Sequence, residues 1–444
     1  MERETQIKET VIRRMTRLAA AHGAVNLAQG FTDETPAWDM VWSGVAALLG
    51  GTGEGARRVE SLTVRELLAA NATANATATG DADAGADALD RSVKELFEQW
   101  RGSRDEFNQY SYPFGLPELR HAIADYTQTC HGYRPDPEEQ ITVVLGASEG
   151  MAAAFRSLLA PGDGVVVMQP YHELYPSQAA IFGLVPRFVT LREDRRVGTW
   201  RLDRDELRTA LSDPAVKAVV VNTPQNPTGK VLDAADLEFI AELCRTHDRF
   251  AITDEIYEHI TFDGHRHRCL ALCEGMAERT LVVNSISKTG RATGWRIGWV
   301  ITPPDCTPAL RAVHDNLVVQ APTPLQKGAV SLLRQPRSFF AGIAEGYREK
   351  RDLLVGGLRE AGFAVTPPEG AYYLFADYRA VPALTGMSPT QAAMFLIEQA
   401  GVATVPGDNF YTTGREGDRY LRFAFCRSLD TLQEAVARLH TRLR

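Results

Sequence analysis

Short apolar runs recur along the middle of this 444-residue chain, and segments with helical character separate most of them. The runs are rich in β-branched residues, which is typical of strands that are buried on both faces. Their alternation with helices predicts an α/β domain whose mainly parallel sheet is covered on both sides. The runs are Ile141–Leu145, Gly164–Met168, Ala218–Val221, Phe250–Thr253, Leu281–Val283 and Trp299–Ile301.

The two ends of the chain carry other patterns. Val11, Met15 and Leu18 have the spacing of one helix face. After about Gln320, a long helical segment leads into a smaller region of mixed helices and strands. We therefore expect a second, smaller α+β part beside the main sheet.

The segment before the first apolar run departs from a compact pattern. Residues 71–87 contain only Ala, Asn, Asp, Thr and Gly, so they offer nothing large to bury. The amphipathic pieces Val59–Leu68 and Ser92–Trp100 flank them. We interpret this region as an insertion that is either a surface decoration or a lid or dimer extension.

Composition and charge argue against several classes of partner. The chain has 44% hydrophobic and 23% charged residues, and its net charge of -8 disfavours a nucleic-acid partner. The sequence contains no apolar run of membrane-spanning length, and the charged start Met1–Glu4 is not followed by the apolar stretch of a secretory signal. The six cysteines are scattered, as in a reducing compartment. We expect a cytoplasmic protein without a membrane span.

A lysine close after one of the apolar runs carries the strongest chemical signal. Lys288 follows Leu281–Val283 within the string Ser285-Ile286-Ser287-Lys288. A partly desolvated lysine loses its charge more easily, and the neutral amine can condense with an aldehyde. Ser285 and Arg296 flank it with a hydroxyl and a guanidinium, which suit a phosphate group. An aldehyde and a phosphate together indicate pyridoxal phosphate (PLP).

Two other strand ends offer groups that suit the same cofactor. Gly146, Ala147 and Ser148 follow Ile141–Leu145 and begin a helix, where free amides and a hydroxyl can hold a phosphate, unless they merely form a turn. Asp254 ends a buried run, and a carboxylate there requires a cation. The protonated ring nitrogen of PLP would supply that cation; the alternative is that Asp254 caps a following helix.

The string around Lys288, continued to Arg296, resembles the Schiff-base signature of the class I/II aminotransferases, which are fold-type I PLP enzymes. The turn Asn222–Lys230, with its Asn-Pro-Thr-Gly, resembles a second specific motif of that family. The resemblance runs from about Val25 to Leu439 and is nearest to the kynurenine–glutamine and methionine transaminases. It implies a large domain with a mainly parallel seven-stranded sheet and a small α+β domain built from both chain ends.

The resemblance also implies a division of the chain. We expect residues 1–45 to form an N-terminal arm and part of the small domain. Residues 46–106 would form a dimer or lid region with the low-complexity insertion. Residues 107–319 would form the large PLP-binding domain, and residues 320–444 the C-terminal small domain.

The family motifs assign roles to matching residues of this chain. Lys288, Asp254 and Tyr257 are the expected catalytic residues. Arg422 would bind the substrate's α-carboxylate, with a backbone contact from Gly30. The expected cofactor-binding residues are Gly146, Ala147, Ser148, His172, Asn226, Asp254, Tyr257, Ser285, Lys288 and Arg296, with Tyr110 reaching the phosphate of the neighbouring subunit.

One position departs from the family pattern. The aromatic residue that covers the ring in relatives falls on His172 here. An imidazole can stack on the ring, and it either only stacks or also moves protons. Tyr171 would cover the ring instead if the register differs by one residue.

The resemblance implies an aminotransferase that moves an amino group between an L-amino acid and a 2-keto acid, as a homodimer with shared active sites. Departures at His172, at Gly290-Arg291 and at Thr32–Glu34, together with the insertion, favour a specialised substrate and would suit a biosynthetic pathway. The alternative is a PLP-dependent elimination, replacement or cyclisation, for example with S-adenosylmethionine. A PLP-sensing regulator or a catalytically silent binding protein is the third hypothesis.

A cluster of metal-binding residue types needs separate treatment. His265, His267, Cys269 and Cys273 lie close together in the sequence. Their spacing is not that of a zinc finger or ribbon. We therefore expect no metal site.

Overall fold

A computed structural model describes residues 11–28, 38–50, 110–412 and 414–443. The low-complexity insertion, Gly30 and Thr32–Glu34 lie outside these residues, so the expectations for them stay predictions. The first elements are α1 (Val11–Ala21), β1 (Val25–Asn26), α2 (Trp38–Gly50) and α3 (Pro117–His131).

One large sheet forms the centre of the fold, in the order β2-β9-β8-β7-β6-β3-β4-β5. Its strands are β2 (Ile141–Val144), β3 (Gly164–Gln169), β4 (Val185–Asp194), β5 (Thr199–Leu202), β6 (Val216–Asn222), β7 (Phe250–Asp254), β8 (Thr280–Ser285) and β9 (Gly298–Ile301). Only β9 and β5 run against the others. The mainly parallel sheet is confirmed: seven strands span it from β2 to β4, and β5 extends its edge through an antiparallel pairing with β4.

Helices cover both faces of this sheet. They are α4 (Gly146–Leu158), α5 (Leu174–Ile181), α6 (Arg204–Ser212), α7 (Ala234–His247), α8 (Ile286–Thr289) and α9 (Thr307–Val318). Successive strand residues enter opposite hydrophobic clusters, since Val166 packs in one cluster while Val165 and Val167 pack in the other. This double burial explains why the strands are continuous apolar runs.

The C-terminal part contains a second sheet. Its elements are α10 (Thr323–Leu333), α11 (Arg337–Glu360), β10 (Ala364–Val365), β11 (Tyr373–Asp377), α12 (Pro389–Phe395), β12 (Val402–Ala403), β13 (Val405–Pro406), α13 (Gly414–Gly417), β14 (Tyr420–Ala424) and α14 (Leu429–Leu443). Four strands pair antiparallel in the order β10-β11-β14-β13. β1 pairs in parallel with β12, and Ala424 N donates to Leu27 O, so the N-terminal segment is hydrogen-bonded into this part.

The fold positions polar residues at one edge of the large sheet. Asn222 ends β6 opposite Asp254 at the end of β7, and Ser285 ends the neighbouring β8. Carboxyl ends of parallel strands are where α/β sheets bind ligands. Among the described residues, no helix has both the length and the apolar character needed to cross a bilayer.

Candidate active site

Lys288 lies on α8, directly after β8. Ser285 caps this short helix, and its Oγ accepts a 3.3 Å hydrogen bond from Ser287 N. The lysine Nζ is 5.8 Å from the ring centre of Tyr257 and 5.5 Å from that of Tyr372. Burial lowers the pKa of Lys288 to about 8. A substantial fraction of this amine is therefore neutral near physiological pH.

Asp254 is buried at the end of β7. Its Oδ2 accepts a 2.7 Å hydrogen bond from Tyr175 Oη. Burial raises the pKa of Asp254 to about 6, and the tyrosine hydrogen bond opposes the rise. The described residues give this carboxylate no ion pair, so it fits a cationic ring nitrogen. The capping alternative is wrong, because residues 256–259 form a turn and no helix begins there.

Arg296 and the start of α4 form a site suited to a phosphate. Gly146 begins the helix with φ +73°, and an added Cβ there would collide with Arg296 Nη2. Arg296 itself has φ +56°, and its Nη1 donates to Thr293 O at 2.9 Å. Within the described residues it has no carboxylate partner. The free amides of the first helical turn and a guanidinium without an acidic partner together suit an anion.

The polar side chains next to this site do not block it, and some could bind the same anion. Glu149 Oε2 accepts a 2.9 Å hydrogen bond from Leu145 N, the residue before α4. Glu149 therefore does not occupy the amides of Ala147 and Ser148, which remain available to an anion. Ser148 is exposed, and its carbonyl accepts a 2.8 Å hydrogen bond from Gln178 Nε2. On α8, the buried Ser287 Oγ has no hydrogen-bond partner in the structure.

Arg422 is buried in β14 without an acidic partner among the described residues. Its Nη1 donates to Asn226 Oδ1 at 2.9 Å, and its Nη2 donates to Ala28 O. Its Nε is buried and has no hydrogen-bond partner. The guanidinium carbon lies 4.3 Å from the ring centre of Tyr373 and 5.1 Å from that of Phe410. A buried, incompletely bonded guanidinium fits a carboxylate ligand.

Tyr257 is also buried in this region. Its hydroxyl donates to Tyr373 Oη at 3.2 Å, and its ring lies edge-on to Tyr372 at 83°. Burial raises the pKa of Tyr257 well above its ordinary value. The hydroxyl therefore stays protonated and remains a hydrogen-bond donor.

His172 faces a small cavity that it shares with Tyr175, Asn222 and Asn226. Burial, with the charges of Arg422 and Lys288, lowers the pKa of His172 to about 3. Its Nδ1 accepts a 3.3 Å hydrogen bond from Leu174 N. The imidazole is therefore neutral, and its remaining N–H is on Nε2.

Tyr171 and Tyr110 lie differently. Tyr171 also touches the cavity, but its ring packs 5.4 Å from that of Phe188 in the core. Tyr110 is 81% exposed, so the structure does not bring it into the site of its own chain. An exposed aromatic side chain is available for contact with another subunit.

The departures beside Lys288 have packing explanations. A side chain at Gly290 would meet Leu332 Cδ2 at 2.7 Å and Ile286 O at 2.9 Å. The guanidinium carbon of Arg291 lies 6.0 Å from the ring centre of Tyr347. Neither observation requires a specialised substrate.

Several residues of the site were not singled out from the sequence. Tyr175 is one helical turn beyond His172, and that spacing could have suggested it as a partner for the site. The other missed site residues come from the C-terminal part. Among them, only the pair of adjacent tyrosines at the start of β11 is a pattern that the sequence alone could have pointed to. These residues are Tyr372, Tyr373, Phe410 and Cys426, the last of which is buried and close enough to Lys288 to affect its pKa.

Comparisons with known proteins give one consistent family. The family model described as aminotransferase class I and II matches residues 68–439. Kynurenine–oxoglutarate transaminase 1 of Mus musculus is 32% identical over 369 residues, which cover 78% of this chain and 87% of that protein. The methionine aminotransferase of Escherichia coli K12 is 33% identical over 332 residues, which cover 75% of this chain and 84% of that protein. The expected subgroup is therefore confirmed.

A solved structure extends the similarity over the whole chain. The N-succinyldiaminopimelate aminotransferase from Mycobacterium tuberculosis matches with a TM-score of 0.83 at 32% identity and covers 99% of both chains. Because these similar proteins are named as transaminases, the comparisons support amino-group transfer rather than the alternative of elimination, replacement or cyclisation. The chain belongs to the class I and II aminotransferases, fold-type I PLP-dependent enzymes that transfer an amino group between an L-amino acid and a 2-keto acid.

Proposed function

We propose that PLP binds at the carboxyl edge of the large sheet, in contact with the residues predicted from the sequence. Arg296, Ser285 and the first turn of α4 would hold the phosphate. Asp254 would pair with the ring nitrogen. The donor set fits the cofactor because it combines a buried carboxylate, an anion site and a lysine of lowered pKa.

When bound, PLP supplies an aldehyde for the amine and a ring that accepts electrons from the substrate's Cα. Lys288, as a neutral amine, would hold the cofactor through this aldehyde, and the same amine would carry the proton that leaves and rejoins the substrate at Cα. Asp254 keeps the ring nitrogen protonated. The amide nitrogen of Asn226 would donate to the ring oxygen, since Asn226 Oδ1 already accepts from Arg422. Tyr257 would turn its hydroxyl proton from Tyr373 to the same oxygen.

Arg422 would bind the substrate's α-carboxylate. The buried and incompletely hydrogen-bonded state of its guanidinium is the observation that supports the proposal most strongly. Its buried Nε lacks a partner, and it reaches the same site as Asn226. A carboxylate accepts two hydrogen bonds from one guanidinium, which fixes the Cα of the substrate relative to the cofactor.

The side chains around Arg422 indicate a substrate with an uncharged side chain. Tyr373 and Phe410 are aromatic, and His172 is neutral because burial holds its pKa at about 3. Such surroundings favour amino acids of the kind named in the kynurenine and methionine relatives. A second negative charge, as in N-succinyldiaminopimelate, would lack a cation among these residues.

We propose a homodimer in which Tyr110 reaches the phosphate of the neighbouring subunit. Its 81% exposure and its position before α3 support this assignment. The scattered free cysteines support a cytoplasmic location.

The proposal is tested by amino-donor specificity with 2-oxoglutarate as acceptor. We expect L-methionine and L-kynurenine to give kcat/KM at least about tenfold above that of N-succinyl-L,L-diaminopimelate. Lys288→Ala should abolish both turnover and the visible absorption that PLP acquires on joining the lysine, whereas the exposed Lys217→Ala should change neither. Retention of the band in Lys288→Ala would refute the assignment. Release of free ammonia without an amino product would indicate elimination instead.

A further inference from the structure

Two histidines and a glutamate meet in the interior behind the turn that follows Asp254. His131 ends α3, Glu258 lies in the turn after β7, and His267 lies in the loop beyond that turn. One potential ligand atom from each residue lies within 4.8 Å of the other two. We refer to His131, Glu258 and His267 as the His–Glu–His cluster.

Two atoms of this cluster are buried and lack hydrogen-bond partners. They are Glu258 Oε2 and His267 Nδ1. Glu258 Oε2 also lies 2.6 Å from His131 Nε2, which is the distance of a close ion pair. Buried polar atoms without hydrogen-bond partners call for an explanation, and a bound ion is one that fits a carboxylate beside two imidazoles.

The surrounding residues fix the orientation of these atoms. Glu255 Oε2 lies 2.8 Å from His267 Nε2 and accepts its proton, so the lone pair of that ring is on Nδ1. Thr253 Oγ1 in turn donates to Glu255 Oε1 at 2.8 Å. A carboxylate behind a histidine is the usual arrangement around a protein-bound metal.

The other oxygen of Glu258 is held in the same way. Asn284 Nδ2 donates to Glu258 Oε1 at 2.6 Å, and Tyr126 Oη also donates to it. These bonds leave Oε2, the oxygen nearest His131, without a hydrogen-bond donor. The side chain of Glu258 is only 2% exposed, so water does not compensate the negative charge of its carboxylate.

We propose that the His–Glu–His cluster binds a divalent transition-metal ion, with zinc as the ion that suits the donors. Two imidazoles and one carboxylate are a common zinc ligand set, with a fourth position for water. Tetrahedral ligands are about 3.3 Å apart, so His131 Nε2 and Glu258 Oε2 need to separate by only about 0.7 Å.

The sequence did not predict this site because its ligands come from three separate segments. Of the four histidines and cysteines between His265 and Cys273, only His267 belongs to the cluster. The spacing rules of local zinc motifs therefore do not apply to this site. The ion would tie α3 and the 263–269 loop to the turn that contains Tyr257. It would therefore brace the segment behind the active site without touching the substrate.

The test measures metal binding by the PLP-loaded enzyme. The protein is treated with EDTA, dialysed against zinc chloride, passed through a desalting column and analysed for zinc. We compare wild type with Glu258→Gln, which keeps the side-chain shape, and with His267→Gln. His265→Gln is the matched control, since His265 is an exposed histidine of the same loop. Cobalt replacement reports the coordination geometry through visible absorption.

We expect one zinc per chain in wild type and in His265→Gln, and less than about one tenth of that in the other two variants. Zinc should raise the Tm of wild type by about 3 °C and leave that of His267→Gln unchanged, which gives a readout if Glu258→Gln does not fold. Wild-type protein without zinc, or full binding in His267→Gln, would overturn the proposal and leave the cluster as an ion-pair network.

Discussion

Tyr175 donates a 2.7 Å hydrogen bond to Asp254, and both side chains are buried. Burial raises the pKa of the carboxyl group to about 6, while the tyrosine lowers it. The hydroxyl therefore helps to keep Asp254 ionised at neutral pH. The ionised form is the one that can pair with a protonated ring nitrogen.

The first prediction concerns the loss of this hydroxyl. In cofactor-free wild-type protein, affinity for PLP should fall as the pH drops through about 6, because Asp254 becomes protonated. Tyr175→Phe should move that midpoint upward and lower the affinity at pH 7 by about tenfold, because the ionised form loses a hydrogen bond. Titration of PLP at several pH values measures this. Tyr171→Phe is the control, and an unmoved midpoint in Tyr175→Phe would contradict the assignment.

The second prediction concerns the rate at which PLP joins Lys288. Only the neutral amine attacks an aldehyde, and burial lowers the pKa of Lys288 to about 8. The association rate in cofactor-free protein should rise about tenfold per pH unit below that value and level off above it. Stopped-flow absorbance measures the rate. A rise that continues to the pKa of an ordinary lysine would show that the amine is not desolvated.

The third prediction concerns Arg422. Arg422→Lys keeps the charge but loses the two-pronged contact with a carboxylate, so KM for the amino donor should rise by about 100-fold. Steady-state kinetics measures the change. Arg427→Lys is a matched control, because Arg427 is also buried but donates to Asn26 O. Equal effects in the two variants would indicate general destabilisation and no carboxylate contact.

The fourth prediction concerns the phosphate end of the site. A methyl group at Gly146 would collide with Arg296, so Gly146→Ala should weaken PLP binding by at least about tenfold. Gly386→Ala controls for backbone strain, since Gly386 has φ +78° but nothing within 4 Å of an added Cβ. Equilibrium dialysis compares the two variants. Equal PLP affinity in both would mean that Arg296 does not hold the phosphate.

The fifth prediction separates the two roles considered for His172. Its pKa of about 3 leaves it neutral and weakly basic across the working pH range. His172→Phe should therefore keep kcat within about threefold, with an unchanged pH profile, because an aromatic ring still covers the cofactor. His172→Ala should lose more. Loss of activity in both variants would show that the imidazole moves protons.

The sequence predicted the architecture well because buried parallel strands are continuous apolar runs. It predicted Lys288 and Asp254 as site residues because each is a charged group beside an apolar strand, and the family resemblance predicted Arg422. Their geometry agrees with those roles, which still await the experiments above. β4 and β5 were missed because they lie at the sheet edge, where burial changes along each strand and no continuous apolar run results.

The remaining residues depend on tertiary contacts that no local pattern encodes. Tyr373 of the C-terminal sheet contacts Tyr257. Arg422 donates a hydrogen bond to Ala28 O, although 394 positions separate the two residues in the sequence. The His–Glu–His cluster has the same origin, since α3 and the turn after β7 meet only in the folded protein. Periodicity and spacing describe neighbours in sequence and give no information about such pairs.

If Arg422 binds the substrate as proposed, its contact with the carbonyl of Ala28 gives the N-terminal segment a part in substrate recognition. A protease cut or an engineered deletion that removes Val25–Ala28 would take away a carbonyl that orients the guanidinium, as well as the pairing of β1 with β12. Versions of this enzyme that lack the segment should therefore bind amino acids more weakly, and affinity tags belong at the C-terminus.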